Sequence, residues 1–296
     1  MLKSLAALSL LALVSAAPQG GYPIGRKEYY MDMPIDHFTN GGAGSPTFKM
    51  RYFVDAQFWD PKNGPILFYA GNEGKLENFY DNSGFMTKNL SRELKGLIVF
   101  GEHRYFGKSI PFDPQYAYNT SDNVYLTVDQ VMMDYNKLIK SIRYQYGAMD
   151  KAVIVFGGSY GGMLAAWLRM KYPQTFQGAL ASSAPILYFK DAPTAPEDRF
   201  GDMISEAFGN VSLTCNTTIR EAFYAMQNIR NTSSRQGDWL AMGQALNTCK
   251  PVKTYADIDN LYLHLMNGFS YMAMTNYPYS SSFLNPMPAW PVNVSC

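Results

Sequence analysis

The chain has 296 residues, 47% of them hydrophobic and 17% charged, and 25 basic residues against 24 acidic ones leave a formal charge of +1. That is the composition of a soluble globular protein, long enough for one large domain or a core with a lid. It excludes the basic stripe of a nucleic-acid binder, and no internal repeat or low-complexity tract interrupts it.

The first residues, MLKSLAALSLLALVSAAPQG, have the form of a secretory signal peptide. Lys3 supplies the positive start, Leu5 to Val14 the apolar run, and Val14-Ser15-Ala16 a small-residue cleavage site. The run is about half of the roughly 20 apolar residues a membrane span needs. The mature protein is therefore expected to be soluble and extracytoplasmic, with residues 1–16 removed and no membrane span. Asn89, Asn119, Asn210, Asn216, Asn231 and Asn293 each open an N-x-S/T triplet without proline, so surface glycans are expected.

Further along, FKMRYFV (48–54), PILFYAG (65–71), GLIVFGEH (96–103), KAVIVFGG (151–158) and GALASSAP (178–185) read as strands. The middle three are continuous apolar runs, the form of parallel strands buried on both faces. Between them, LTVDQVMMDYNKLIKSIRYQYG predicts a helix. Thr127 and Gln130 form a capping-box pair, Val131, Tyr135, Leu138 and Ile142 an apolar stripe, and Gly147 sits at the C-cap. Strands alternating with helices predict an α/β fold with a mostly parallel sheet covered on both sides. After about residue 188 the pattern turns helical, over 196–208, 218–229, 235–247 and 254–273, as in a lid or cap. Cys215, Cys249 and Cys296 are an odd number for an oxidising compartment. One of them stays free, pairs with another chain, or pairs with sequence absent here.

Gly157-Gly158-Ser159-Tyr160-Gly161 fits G-x-S-x-G, the nucleophile elbow. The strand AVIVF precedes it and the helix MLAAWLRMKY, stopped by Pro173, follows. Such a turn lifts a serine hydroxyl above the sheet, and glycines flank it because side chains would clash. The following helix aims its first N–H groups at developing negative charge. The Tyr160 N–H is then one oxyanion donor, and the turn YAGNEG offers a second at Gly71 or Asn72. No motif calls for a metal or a cofactor.

The elbow, together with IDHF (35–38), ILFYAGNEG (66–74), FGEHRYFGKS (100–109), GGSYGGMLAAWLRMKYP (157–173), ALASSAPI (179–186) and YPYSSSFLNPMPAWPV (277–292), resembles the serine exopeptidases that include lysosomal Pro-X carboxypeptidase and dipeptidyl peptidase II. The resemblance covers nearly the whole mature chain. It implies an α/β-hydrolase core with an inserted helical cap, cleavage of peptides beside proline, and Ser159 as nucleophile. A secreted or lysosomal location follows, and a homodimer is compatible with it. MLAAWLRMKYP and PMPAWP lie nearer the carboxypeptidase branch.

A serine needs a histidine to take its proton and an acid to orient that histidine, in the chain order Ser, Asp, His for α/β-hydrolases. His37 and His103 precede Ser159, and His103 reads as a structural residue at a strand end near Glu102 and Arg104. His264 follows Ser159 but lies on a cap helix with Asp257 and Asp259 on the same helix, which is poor triad geometry. In the family the acid and histidine lie beyond the cap. The chain is thus expected to be an N-terminal portion: 17–187 part of the core, 188–296 an incomplete cap. It is expected to be inactive by itself, with an exposed sheet edge and the odd cysteine's partner downstream. The competing expectations are a non-catalytic secreted glycoprotein that binds peptides and, sharing the elbow, an esterase.

Overall fold

A computed structural model of the chain describes residues 22–39, 45–115, 117–190, 198–233 and 235–296, so the expected signal peptide lies outside the described residues. The chain divides into two compact units, Met1–Ile186 and Leu187–Cys296.

The first unit is built on a six-stranded sheet of β1 (Lys27–Pro34), β2 (Thr47–Asp55), β3 (Ile66–Ala70), β4 (Leu97–Gly101), β5 (Val153–Gly158) and β6 (Gly178–Ser182). The spatial order is β1-β2-β4-β3-β5-β6. Strands β4, β3, β5 and β6 are parallel, while β2 runs antiparallel to both β1 and β4. Strand β1 was not legible in the sequence. It pairs from Lys27↔Val54 to Pro34↔Thr47, yet only Met33 in it is buried, so no apolar alternation marks it.

The continuous apolar strands cover both faces, as their sequence requires. On one face Phe68, Val99 and Val155 pack under α3 (Val128–Gln145) and α4 (Tyr160–Lys171), through Tyr135, Leu138, Ile142, Leu164 and Leu168. On the other, Leu67, Ile98, Phe100 and Phe156 meet Leu76 and Phe79 of α1 (Leu76–Asp81) and Met86 of a π-helical turn, Phe85–Leu90, which leads into α2 (Ser91–Glu93). Thr127 caps α3 through Gln130 N, but the Gln130 side chain turns instead to Asp36 and the His37 N–H, so the expected capping box is half made. Gly147 takes the left-handed φ of +62° past the end of α3. Strand β6 is the sheet's edge, and Ala179–Ser182 are exposed.

The second unit comprises α5 (Arg199–Val211), α6 (Leu213–Thr232), α7 (Gln236–Ala245), α8 (Tyr255–Met274) and α9 (Pro291–Ser295). Met226, Trp239, Met242, Val252 and Ile258 form its small core. Helix α8 starts with a complete capping box between Thr254 and Asp257. Cys215 is bonded to Cys296, and Cys249 is free and exposed. The odd cysteine is therefore Cys249, and the last residue has its partner within the unit. Among the described residues no helix is long and apolar enough to cross a membrane.

Candidate active site

Topology locates the site before any motif is considered. From β3 the chain passes to β4 on one side, then crosses to β5 on the other side of β3. In open α/β sheets the crevice for ligands opens at such a reversal, at the carboxyl ends of the strands. Here those ends are the turn Gly71–Gly74 after β3 and Ser159 after β5.

Ser159 is the N-cap of α4, with φ +55° and ψ −126°. A non-glycine residue there is strained by about 1–3 kcal/mol, which the surrounding structure has to hold in place. The restraints are visible. The Ser159 N–H donates to Ser182 O (3.0 Å), and Met163 N donates to Ser159 O (3.1 Å). Close packing adds to them: a Cβ on Gly157 would lie 2.0 Å from Gly161 O, and one on Gly161 2.7 Å from Ala70 O. Gly158 is different, since a Cβ there meets only the Tyr69 hydroxyl at 3.7 Å, so two of the three expected elbow glycines are sterically required. The Ser159 side chain is exposed and makes no capping bond, which leaves its oxygen available.

The oxyanion donors need one correction. Gly71 N–H donates to Gly101 O (3.0 Å), prolonging the β3–β4 ladder, so it is not free to bind an oxyanion. The N–H groups of Tyr160 and Gly161, in the first turn of α4, have no intrahelical acceptor. Asn72 closes the other side. Its backbone N–H has no acceptor among the described residues, its Nδ2 donates to Glu73 Oε2 (2.8 Å), and its buried Oδ1 is unpaired beside Gly161.

The histidines are all committed elsewhere or remote in character. His103 is fully buried at the end of β4, its Nδ1 2.5 Å from Arg104 O and its Nε2 3.0 Å from the Tyr160 hydroxyl. A carbonyl accepts only, so Nδ1 carries the hydrogen and Nε2 accepts from Tyr160. Burial lowers the His103 pKa to about 4, which keeps the ring neutral. Burial first, and then the Glu73 carboxylate, raise Tyr160 to about 12, so it remains the donor. The sequence placed His103 among structural residues but gave no sign that it anchors the residue after Ser159. His37 binds Asp134 Oδ1 (2.6 Å). His264 is exposed, while Asp257 caps α8 and Asp259 pairs with Arg230 (2.5 Å). No triad forms among the described residues of the first unit.

His103 also sets a pH dependence. Its pKa falls from 6.5 unfolded to about 4 folded, so between these values the unfolded chain binds the extra proton. Stability contributed by the neutral ring is complete above about pH 6.5 and is lost as pH falls towards 4, by about 3 kcal/mol in all. Denaturant midpoints measured across this window should fall more steeply for the wild type than for His103→Gln; parallel curves would refute the assignment.

A strained serine at the apex of a strand–helix turn, at the reversal of a mostly parallel sheet, is the strand–turn–helix elbow of an α/β-hydrolase core. The family of serine carboxypeptidases S28 matches residues 33–296, and the chain belongs to that family. It is 40% identical over 270 residues to lysosomal Pro-X carboxypeptidase of Bos taurus, covering 90% of this chain and 52% of that protein. It is 39% identical over 280 residues to prolyl carboxy peptidase like protein 5 of Caenorhabditis elegans, covering 92% and 54%. The chain thus spans about half the length of these curated relatives. Among solved structures, proline iminopeptidase of Mycobacterium smegmatis is similar at 15% identity and a TM-score of 0.41, over 89% of this chain and 75% of that one.

Proposed function

We propose that Ser159 is the acyl-enzyme nucleophile of a secreted or lysosomal serine exopeptidase that removes a C-terminal residue following proline. The observation that carries this reading is the φ of +55° at an exposed serine wedged between β5 and α4. Ser159 Oγ attacks the prolyl carbonyl, and the N–H groups of Tyr160 and Asn72 receive the oxyanion. The proline preference and the carboxypeptidase mode rest on the names of the relatives. The peptide-binding role of the helical unit as a cap rests on the sequence pattern.

The proton acceptor is the missing element. His103 and His37 are bonded to other groups, so the described residues of the first unit offer Ser159 no base. Turnover by these 296 residues alone is expected near the level left when a triad member is removed, roughly 10³–10⁴ over water. That same observation favours a second reading, a secreted glycoprotein that binds peptides without cleaving them.

An activated ester separates the two. An N-blocked prolyl nitrophenyl ester carries a leaving group that departs without being protonated, so acylation depends less on the missing residues than deacylation does, and the adduct accumulates. Intact-mass analysis should show one acyl adduct on the folded chain, mapped to Ser159 and lost in Ser159→Ala. An adduct elsewhere, or one that survives Ser159→Ala, would leave only the binding reading.

A further inference from the structure

The helical unit contains an open groove of about 250 Å³ between α5, α6 and α8. We infer that its occupant is the first N-acetylglucosamine of a glycan carried on Asn216, which lines the groove itself. This rests on the secretory reading above.

Asn216, Arg220, Phe223 and Gln227 follow one another at i, i+4, i+7 and i+11 on α6, so they share one helix face, and all four line the groove. Asn216-Thr217-Thr218 is a glycosylation triplet. Asn89, Asn119, Asn210, Asn231 and Asn293 are exposed, whereas Asn216 is half-buried. A sugar on any of those five would point into solvent, while one on Asn216 starts at the groove.

Two glycines on α5 limit crowding, Gly209 next to the Asn216 amide and Gly201 along the groove. Gly209 sits inside α5, where glycine costs about 1 kcal/mol relative to alanine. A Cβ there would lie 3.2 Å from Asn216 Nδ2, the atom that takes the sugar. Gly201, on the same helix, lines the groove and faces open space. The volume falls just under the roughly 300 Å³ at which sites for drug-sized ligands begin, a fit for a single pyranose ring.

The lining suits a sugar's two kinds of surface. Phe223 meets Tyr262 at 5.0 Å and Phe269 at 5.8 Å, edge to face, forming an aromatic wall whose negative π faces attract sugar C–H groups. Gln227 Nε2 fixes that wall by donating to the Tyr262 hydroxyl (3.1 Å). Arg220 has no carboxylate partner among the described residues, so its guanidinium is free to donate to the N-acetyl carbonyl.

Attachment precedes folding. Asn216 Nδ2 attacks C1 of a polyprenyl-diphosphate-linked oligosaccharide; the N–C1 bond forms, the C1–O bond breaks, the amide loses one proton and the lipid diphosphate leaves. The folded unit then closes over the first ring.

The test uses the full chain secreted from eukaryotic cells. Enzymatic deglycosylation in heavy-oxygen water should tag Asn216 as isotope-labelled aspartate. Thr218→Val destroys the triplet without touching Asn216, and should raise binding of a hydrophobic dye several-fold. Ser121→Ala, which removes the exposed Asn119 triplet, should leave dye binding unchanged. If the other asparagines are tagged and Asn216 is not, the inference is overturned while the secretory reading stands. If none is tagged, the inference falls together with the expected surface glycans, while secretion itself stands. If Asn216 is tagged but Thr218→Val binds no more dye than Ser121→Ala, the sugar lies outside the groove and the placement is wrong.

Discussion

Arg104→Met should lower the stability of the first unit by about 3–5 kcal/mol, the usual penalty for breaking a buried pair by removing one partner. Arg104 and Asp134 are both fully buried, and the guanidinium grips the carboxylate through Nε (2.7 Å) and Nη2 (2.8 Å). The remaining donors serve the carbonyls of Ile35, Tyr125 and Pro34, which tie the end of β1 and the approach to α3 to the tip of β4. Methionine fills much of the volume but leaves Asp134 with His37 as its remaining partner and three carbonyls under-satisfied. The denaturant midpoint, followed by circular dichroism, reads the loss. Arg104→Met combined with Asp134→Leu should be less destabilised than the sum of the single changes, because no charge is then stranded. Additive losses would show that the two groups act independently and that the pair is not what ties the end of β1 to the tip of β4.

Removing the Cys215–Cys296 bridge should have an effect of similar size on the helical unit. The bridge joins residues 81 apart. By the loop-entropy estimate, opening such a loop releases about 4–5 kcal/mol of denatured-state freedom. The unit has a small core, Met226, Trp239, Met242, Val252 and Ile258, with little to offset that loss. Cys215→Ser with Cys296→Ser should therefore speed amide exchange throughout α6 and α8. Reduction of the wild-type protein should do the same, and Cys249→Ser should not. Unchanged exchange in the double variant would mean that packing alone holds α9 in place.

The sequence showed the chemistry that depends on steric necessity and hid the chemistry that depends on contacts across the chain. The elbow was readable because Gly157 and Gly161 have no alternative: each lies against backbone oxygen. The buried strands were readable because both faces are apolar. Strand β1 was not, since its partner β2 rather than its own side chains holds it. Gly71 was expected as an oxyanion donor because a turn residue looks free; only the sheet register shows its N–H reaching Gly101. The contact between His103 and Tyr160 spans 57 positions, and nothing local to either residue announces it. FGEHRYFGKS could be recognised as a unit without revealing that three consecutive side chains do three jobs. Glu102 neutralises Arg51, His103 anchors Tyr160, and Arg104 binds Asp134.

The Ser159 N–H is anchored to Ser182, on the outermost strand of the sheet. The residue that must hold its shape most strictly thus leans on a strand that has, among the described residues, a neighbour on one side only. Fraying at β6 would let the backbone of Ser159 relax towards an ordinary conformation, and the hydroxyl would lose its aim. Any extended segment that zips along that strand would stiffen the serine from behind, without touching it.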